Sequence, residues 1–170
     1  MTKVINLFGA PGSGKSTTAA GLFYHLKIKG YSVHTADEWI KDKVFENATY
    51  PFKDQLYTFA KQNKKIRQMN GKVDYIICDS PLLLSIMYGV NEPECFKRLV
   101  VEYFNKYDNI NFFLTRDHNY EKMGRIHTEE QSEELSQRLL NILEEYEVEY
   151  TKLTASESLD KILQIFKEIE

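Results

Sequence analysis

Residues 4–16 have the sequence VINLFGAPGSGKS, and residues 9–16 within it match the phosphate-binding motif G-x-x-x-x-G-K-[S/T] at every fixed position. The apolar residues before the motif predict a short buried strand. Residues 17–29, which follow it, place apolar side chains at the spacing of a helix. Because strand, loop and helix occur in the order that the motif requires, this stretch predicts the start of an α/β fold with a phosphate site at its first turn.

The loop residues have the chemistry that a nucleoside triphosphate needs. Gly9, Gly12 and Gly14 permit backbone angles at which successive amide N–H groups turn toward one phosphate, at the positive end of the next helix. Lys15 adds charge for the β and γ phosphates, and Ser16 offers a hydroxyl to Mg²⁺. We therefore predict ATP and Mg²⁺ as ligands; the alternative is a glycine-rich turn that only packs. The predicted nucleotide-binding residues are Gly9, Pro11, Gly12, Ser13, Gly14, Lys15, Ser16 and Thr17.

Length and composition limit the classes of protein that the chain can belong to. With 170 residues, 42% of them hydrophobic, we expect one domain over residues 1–170. The net charge of −3 argues against a general basic field for nucleic acid or an anionic membrane, so only a local patch could bind either. Cys78 and Cys95 lack metal-ligand spacing and favour a reducing, cytoplasmic location. No run of 18 apolar residues occurs, so we expect a soluble protein without a membrane partner.

Strands and helices alternate along the chain. Four more strands are predicted at residues 31–36, 73–79, 111–115 and 148–153. Helices are predicted at residues 52–69, 93–107, 128–145 and 159–169, the last preceded by a capping box at residues 154–157. This alternation indicates right-handed crossovers and a mostly parallel sheet covered on both faces. Ligands of such sheets bind at the carboxyl ends of the strands.

Asp79 ends the third predicted strand, where its carboxylate can hold Mg²⁺ together with Ser16. Capping of a following helix is the alternative role. Motor ATPases place a glutamate directly after this aspartate to activate water, whereas Ser80 stands here. The substitution favours phosphoryl transfer over hydrolysis, and we predict Ser80 as a substrate contact.

A GTPase is disfavoured although residues 105–108 spell the guanine-reading pattern N-K-x-D. That pattern should follow a strand, but the residues before it have helical spacing and a strand comes after it. The chain also contains no D-x-x-G sequence.

A lid is predicted at about residues 116–128, a polar segment with few apolar residues. Arg116 closes the fourth strand and Arg125 lies within the segment. Because a guanidinium binds phosphate through two parallel N–H groups, we predict that both arginines act on the migrating phosphoryl group with Lys15. The alternative is that both are solvated loop charges.

The end of the second predicted strand carries Asp37, Glu38 and Trp39. A carboxylate there can accept the proton of an attacking hydroxyl, so we predict Glu38 as the catalytic base and Asp37 as the second choice. Acids in the first turn of a helix, favoured by its dipole, are the alternative. Trp39 is predicted as a wall of the substrate pocket, although a lone tryptophan also suits a core.

Helix 52–69 has two further features. Gln55 and Gln62 lie along its apolar stripe, where their amides could bind a base or sugar or simply flank the core. The neighbouring face holds the only basic cluster of the sequence, either a solvated helix face or a contact for a polynucleotide backbone. Its members are Lys61, Lys64, Lys65, Arg67 and Lys72.

Taken together, the loop, residues 37–46, residues 54–62, the block 79–84 and the lid resemble a group of small P-loop proteins common in bacteriophage genomes and related to the nicotinamide riboside kinase domain. The resemblance implies a nucleoside/nucleotide kinase-like fold: three α/β/α layers around a five-stranded parallel sheet of order 2-3-1-4-5. It supports Glu38 and the lid arginines, although the chain has Glu-Trp where the group has Glu-Tyr. It also implies a cytoplasmic location, in the host cell if the chain is phage-encoded.

From these observations we predict a Mg²⁺-ATP-dependent phosphotransferase whose acceptor is a hydroxyl or phosphate of a nucleoside, nucleotide or nucleic-acid component. Three alternatives remain. The first is a DNA kinase acting on a 5′-hydroxyl or on a hydroxymethylated base such as 5-hydroxymethyluracil in phage DNA. The second is an ATPase or switch protein, and the third is a binding module without activity. The sequence leaves open whether the chain is a monomer or a homodimer.

Overall fold

A five-stranded parallel sheet forms the centre of the molecule. The computed structural model describes residues 1–37, 54–117 and 128–169. Within them the strand order is β2-β3-β1-β4-β5, so the predicted order 2-3-1-4-5 is confirmed. The strands are β1 Lys3–Phe8, β2 Val33–Thr35, β3 Tyr75–Cys78, β4 Asp108–Thr115 and β5 Thr151–Thr154.

Six helices are described on the two faces of the sheet. They are α1 Lys15–Ile28, α2 Gln55–Met69, α3 Leu84–Tyr88, α4 Glu94–Phe104, α5 Glu129–Glu145 and α6 Ser158–Ile169. The short helix α3 was not predicted, because its few residues are nearly all buried and show no amphipathic repeat. Among these helices none has the length and apolar character needed to cross a membrane.

Alternate residues of β1 point to two separate hydrophobic cores. Val4 and Phe8 belong to the core between the sheet and helices α2 to α5. Ile5 and Leu7 belong to the core between the sheet and helices α1 and α6. The strand is therefore apolar on both faces, as central strands of covered parallel sheets are, and the three-layer α/β/α prediction is confirmed.

Strand β4 begins at Asp108 rather than at the predicted Asn111, because its polar first residues pair with β1. Asn6 of β1 is almost fully buried and donates both N–H groups, to Asn109 Oδ1 at 2.8 Å and to Asn111 Oδ1 at 2.9 Å. Asn109 in turn donates to the Phe104 carbonyl at 2.7 Å. These bonds fasten the end of α4 to the first half of β4.

We predict that the Asn6→Leu substitution lowers the free energy of unfolding by about 1–3 kcal/mol, because the amide oxygens of Asn109 and Asn111 lose a buried donor. Urea unfolding, followed by circular dichroism, measures the change as a lower midpoint at constant slope. Asn105→Leu is the matched control, since Asn105 is exposed. An equal loss of stability in both variants would contradict the role given to Asn6.

Candidate functional site

The loop of residues 9–16 leaves the carboxyl end of β1 and enters α1 directly. Gly9, Gly12 and Gly14 have φ values of 142°, 85° and 84°, which side-chain-bearing residues rarely adopt. A β-carbon at Gly9 would also lie 2.4 Å from Ser13 Oγ and 2.6 Å from the Leu114 carbonyl oxygen. Both the backbone angle and the close approach therefore require glycine at position 9.

Lys15 has a second role that the sequence analysis did not predict. Its Nζ donates to the carbonyl of Gly9 at 2.7 Å and to that of Ala10 at 2.9 Å. The lysine thereby closes the loop on itself and holds its ammonium group inside the turn. An ammonium has three donors and can exchange carbonyl partners for phosphate oxygens.

Two helices hold the loop from outside. Ser132 of α5 is buried, and its hydroxyl donates to the Pro11 carbonyl at 2.8 Å. The turn that leads from β5 into α6 packs on the other side, where a β-carbon added to Gly14 would lie 3.1 Å from the Ala155 β-carbon. The hydroxyls of Thr18 and Ser158 share a buried hydrogen bond of 2.7 Å that joins α1 to α6. The loop is thus fixed between β1, α5 and α6.

The donor groups of this loop fit a phosphate. Ser13 Oγ is buried and has no hydrogen-bond partner among the residues that the structure describes. A buried hydroxyl without a partner costs roughly 1–3 kcal/mol, and a phosphate oxygen would satisfy it. Ser16 and Thr17 are exposed in the first turn of α1, whose amides have no partners within the helix.

The predicted metal ligands follow two adjacent strands, Ser16 after β1 at the start of α1 and Asp79 directly after β3. Parallel pairing aligns Asn6 with Cys78, so Asp79 follows β3 at the edge where β1 runs into the loop. Asp79 is buried. No group of three or more His, Cys, Asp or Glu side chains suited to a metal occurs in the described ranges. Two protein ligands, Ser16 and Asp79, with phosphate oxygens fit Mg²⁺, which prefers few protein ligands in nucleotide sites.

The predicted acceptor carboxylates fall at the edge of the described region. Asp37 follows β2 and is exposed, and its carboxylate accepts from Thr35 Oγ1 at 3.3 Å. Its backbone carbonyl accepts from Lys65 Nζ of α2 at 2.7 Å. Glu38 and Trp39 lie outside the described residues. Asp37 therefore stands at the same edge of the sheet as Asp79, one strand further from the loop.

Gln62 has a structural role that the sequence analysis missed. It is buried, and its amide nitrogen donates to the Ala36 carbonyl at 2.8 Å and to Cys78 Sγ at 3.4 Å. These bonds hold α2 against β2 and β3 where the two strands end. Gln55 is also buried and Ser80 is half-buried. Contact of Gln55, Gln62 or Ser80 with a substrate stays a prediction.

Burial raises the pKa of the Cys78 thiol to about 12. The hydrogen bond from Gln62 works in the opposite direction, but burial is the larger effect. Cys78 is thus a neutral, inert part of the core beside Asp79, as expected for an apolar strand position.

Arg116 lies at the carboxyl end of β4, on the other side of the loop from Asp79. Its Nη2 is 2.8 Å from Glu129 Oε1 in the first turn of α5, and the arginine side chain is mostly buried. The end of β5 is bonded to the end of β4 beside Arg116, because the Ala155 N–H donates to the Thr115 carbonyl at 2.8 Å. Arg125 lies outside the described residues, as does most of the predicted lid.

The N-K-x-D tetrapeptide lies at the amino ends of the strands, whereas the phosphate loop lies at their carboxyl ends. Residues 105–108 connect the end of α4 to the first residue of β4, whereas the phosphate loop follows the last residue of β1. Because β1 and β4 are parallel, the two segments lie at opposite edges. The structure therefore excludes a guanine-reading role for this tetrapeptide at the loop, as the sequence analysis expected.

Comparisons with known proteins agree with this architecture. A family model described as an AAA domain matches residues 4–159. No curated protein sequence matches the chain. A structure of deoxyadenosine kinase from M. mycoides with dCMP and dCDP has a TM-score of 0.56 and 16% identity, covering 98% of this chain and 100% of its own. The dATP-bound structure has a TM-score of 0.56 and 18% identity, covering 96% and 99%. At these identities the likeness shows a shared fold.

We predict that stability falls with rising pH in a way that depends on Cys78. Below pH 9, the ordinary pKa of a thiol, both folded and unfolded states keep the proton; above it only the unfolded state ionises readily. Between pH 7 and pH 10 this lowers the free energy of unfolding by about 1.4 kcal/mol. Urea titrations at pH 7 and 10 measure this loss. Cys78→Ala should lose less unfolding free energy between the two pH values than wild type does. Cys95→Ala, which removes an exposed thiol, is the control; equal losses in wild type and Cys78→Ala would contradict the prediction.

Proposed function

The chain belongs to the AAA domain family, and on this premise we propose that it is a Mg²⁺-ATP-dependent phosphotransferase acting on a nucleoside or nucleotide. One observation carries the proposal. The phosphate loop is folded around Lys15, and it buries the Ser13 hydroxyl, which has no hydrogen-bond partner among the described residues. Asp79 and Arg116 lie at the same edge of the sheet. A donor triphosphate, a metal and a cationic group can therefore meet at this edge.

In the proposed reaction the loop binds the donor. Its amides and the Ser13 hydroxyl would hold the β phosphate, and Lys15 would move from the carbonyls of Gly9 and Ala10 to the β and γ phosphates. Ser16 and Asp79 would hold Mg²⁺. When bound, this ion supplies charge neutralisation between the β and γ phosphates.

The acceptor side is assigned to the end of β2. Asp37 or the following Glu38 would accept the proton of the acceptor hydroxyl as its oxygen forms a bond to the γ phosphorus and the bond to the β-phosphate oxygen breaks. Arg116 would stabilise the charge on the migrating group, with Arg125 from the lid as a second cation. The Arg116 guanidinium, which now pairs with the Glu129 carboxylate, would then exchange that carboxylate for a phosphate.

Two features support a small nucleoside or nucleotide as acceptor. Two solved structures with the same fold are of a deoxyadenosine kinase, one with dCMP and dCDP bound and the other with dATP. In addition, Ser80 occupies the position after Asp79 where a hydrolytic motor would carry a glutamate. Both features favour transfer to an organic acceptor over transfer to water.

We expect the wild-type protein to transfer label from γ-labelled ATP to at least one member of a pool of nucleosides, nucleotides and nicotinamide riboside. Lys15→Ala should reduce transfer at least 100-fold, because the charge facing the β and γ phosphates is lost. Thin-layer chromatography of the labelled products measures both results. Lys152→Ala, which removes an exposed lysine of β5, is the control. Label released only as inorganic phosphate would identify an ATPase, and full activity of Lys15→Ala would refute the proposed donor site.

We expect Glu38→Gln to lower transfer by 10²–10⁴-fold while ATP binding is unchanged, because only the proton acceptor is removed. Asp37→Asn should have the smaller effect if Glu38 is the base, and the larger one if Asp37 takes that role. Single-turnover kinetics measure the rate of transfer, and calorimetry measures the affinity for ATP. Glu133→Gln, at an exposed position of α5, is the control. Unchanged transfer in both acceptor variants would remove these carboxylates from the mechanism.

A further inference from the structure

Helix α2 carries a charge distribution unlike that of the whole chain. The chain has a net charge of −3, yet this helix contains four cations and no acidic residue. Its cations are Lys61, Lys64, Lys65 and Arg67. The nearest acid along the chain, Asp54, is engaged as the N-cap, where its carboxylate accepts from the Tyr57 N–H at 2.8 Å. Positive charge is therefore concentrated on one element.

These cations occupy the solvent side of the helix. Residues Gln55, Phe59, Gln62 and Ile66 are buried on the opposite side. At about 100° per residue, Tyr57, Lys61 and Lys64 fall within about 60° of one another at the centre of the solvent side, and Lys65 and Arg67 flank them. We call Tyr57, Lys61, Lys64, Lys65 and Arg67 the α2 basic face.

An aromatic ring lies at one end of this face. Tyr57 is 43% exposed, and Lys61 Nζ lies 5.2 Å from its ring centroid. From Tyr57 to Arg67 the face extends about 15 Å along the helix axis. Charges spread in a row suit an extended polyanion rather than one small anion, which needs donors that converge on a point. An exposed ring beside a row of cations is the combination by which single-stranded nucleic acids are bound.

We propose that the α2 basic face binds single-stranded nucleic acid, with lysines on the sugar–phosphate backbone and one unpaired base stacked on Tyr57. A duplex would use only the charges, because its bases are already stacked on one another. The face also adjoins the carboxyl edge of the sheet, since Lys65 Nζ donates to the Asp37 carbonyl at 2.7 Å. A strand bound along α2 therefore leads toward Asp37. Binding itself does not depend on phosphoryl transfer.

The test measures fluorescence anisotropy of a labelled single-stranded oligonucleotide of about 20 nucleotides, without ATP, over a range of salt concentrations. Wild-type affinity should fall steeply with salt, by a log–log slope of about −0.7 for each phosphate contacted. K61E/K64E should bind at least tenfold more weakly. Tyr57→Ala should lose about tenfold and Tyr57→Phe little, because phenylalanine keeps the stacking ring.

A charge-matched variant provides the control. K152E/K161E changes net charge by the same amount at exposed positions of β5 and α6 and should bind like wild type. Circular dichroism and melting temperature verify that each variant is folded. An equal loss in K152E/K161E, equal affinity for a duplex of the same sequence, or equal affinity for polyglutamate or anionic vesicles would each overturn the proposal.

The same variants separate this proposal from the proposed function. K61E/K64E should keep wild-type transfer to a free nucleoside or nucleotide acceptor, because neither lysine belongs to the donor loop or the acceptor carboxylates. Oligonucleotide binding by a protein without kinase activity would support nucleic-acid binding by the α2 basic face but not the proposed phosphotransferase activity. Kinase activity without oligonucleotide binding would overturn the binding proposal for the α2 basic face and leave the phosphotransferase proposal standing.

Discussion

The close approach of backbone to backbone at Gly9 is the constraint on which the site depends. The Leu114 carbonyl of β4 and the Ser13 hydroxyl occupy the space that a side chain at this position would need. The β1–β4 register, in which Phe8 pairs with Phe113, sets how near the Leu114 carbonyl comes to Gly9. The core and the phosphate loop are therefore not independent: the apolar residues that align β1 with β4 also decide where the loop amides point.

The loop holds its shape through polar contacts made by its own residues and by its neighbours. Lys15 satisfies the carbonyls of Gly9 and Ala10, and Ser132 satisfies that of Pro11. With these acceptors paired, the buried Ser13 hydroxyl is left as a donor without a partner among the described residues. A buried donor of this kind, in the same loop as the Lys15 ammonium, favours an anion. Binding a phosphate then requires little rearrangement of backbone.

The parts that sequence could predict are those with a local signal. The phosphate loop, the alternation of strands and helices and the position of Asp79 each depend on neighbouring residues. The structure has the predicted elements in the predicted order, apart from the unpredicted helix α3 and the earlier start of β4. The roles of Gln62 and Ser132 had no such signal. Ser132 lies 121 residues from its partner Pro11. The partners of Gln62 are Ala36, directly after β2, and Cys78, the last residue of β3. Only the folded topology brings these pairs together, so no spacing rule could indicate them.

Helix α2 shows how one element can serve two purposes without conflict. Its buried side fastens the ends of β2 and β3 through Gln62, which fixes the sheet edge where Asp37 and Asp79 emerge. Its solvent side contributes nothing to that packing, since Lys61 and Lys64 are exposed. Substitutions on the solvent side can therefore change charge without moving the sheet edge, whereas a change at Gln62 would disturb both. Lys65 lies at the boundary between the two sides, because its half-buried chain carries a cation to the Asp37 carbonyl. This contact links the basic face of α2 directly to the end of β2, where the acceptor carboxylates are proposed.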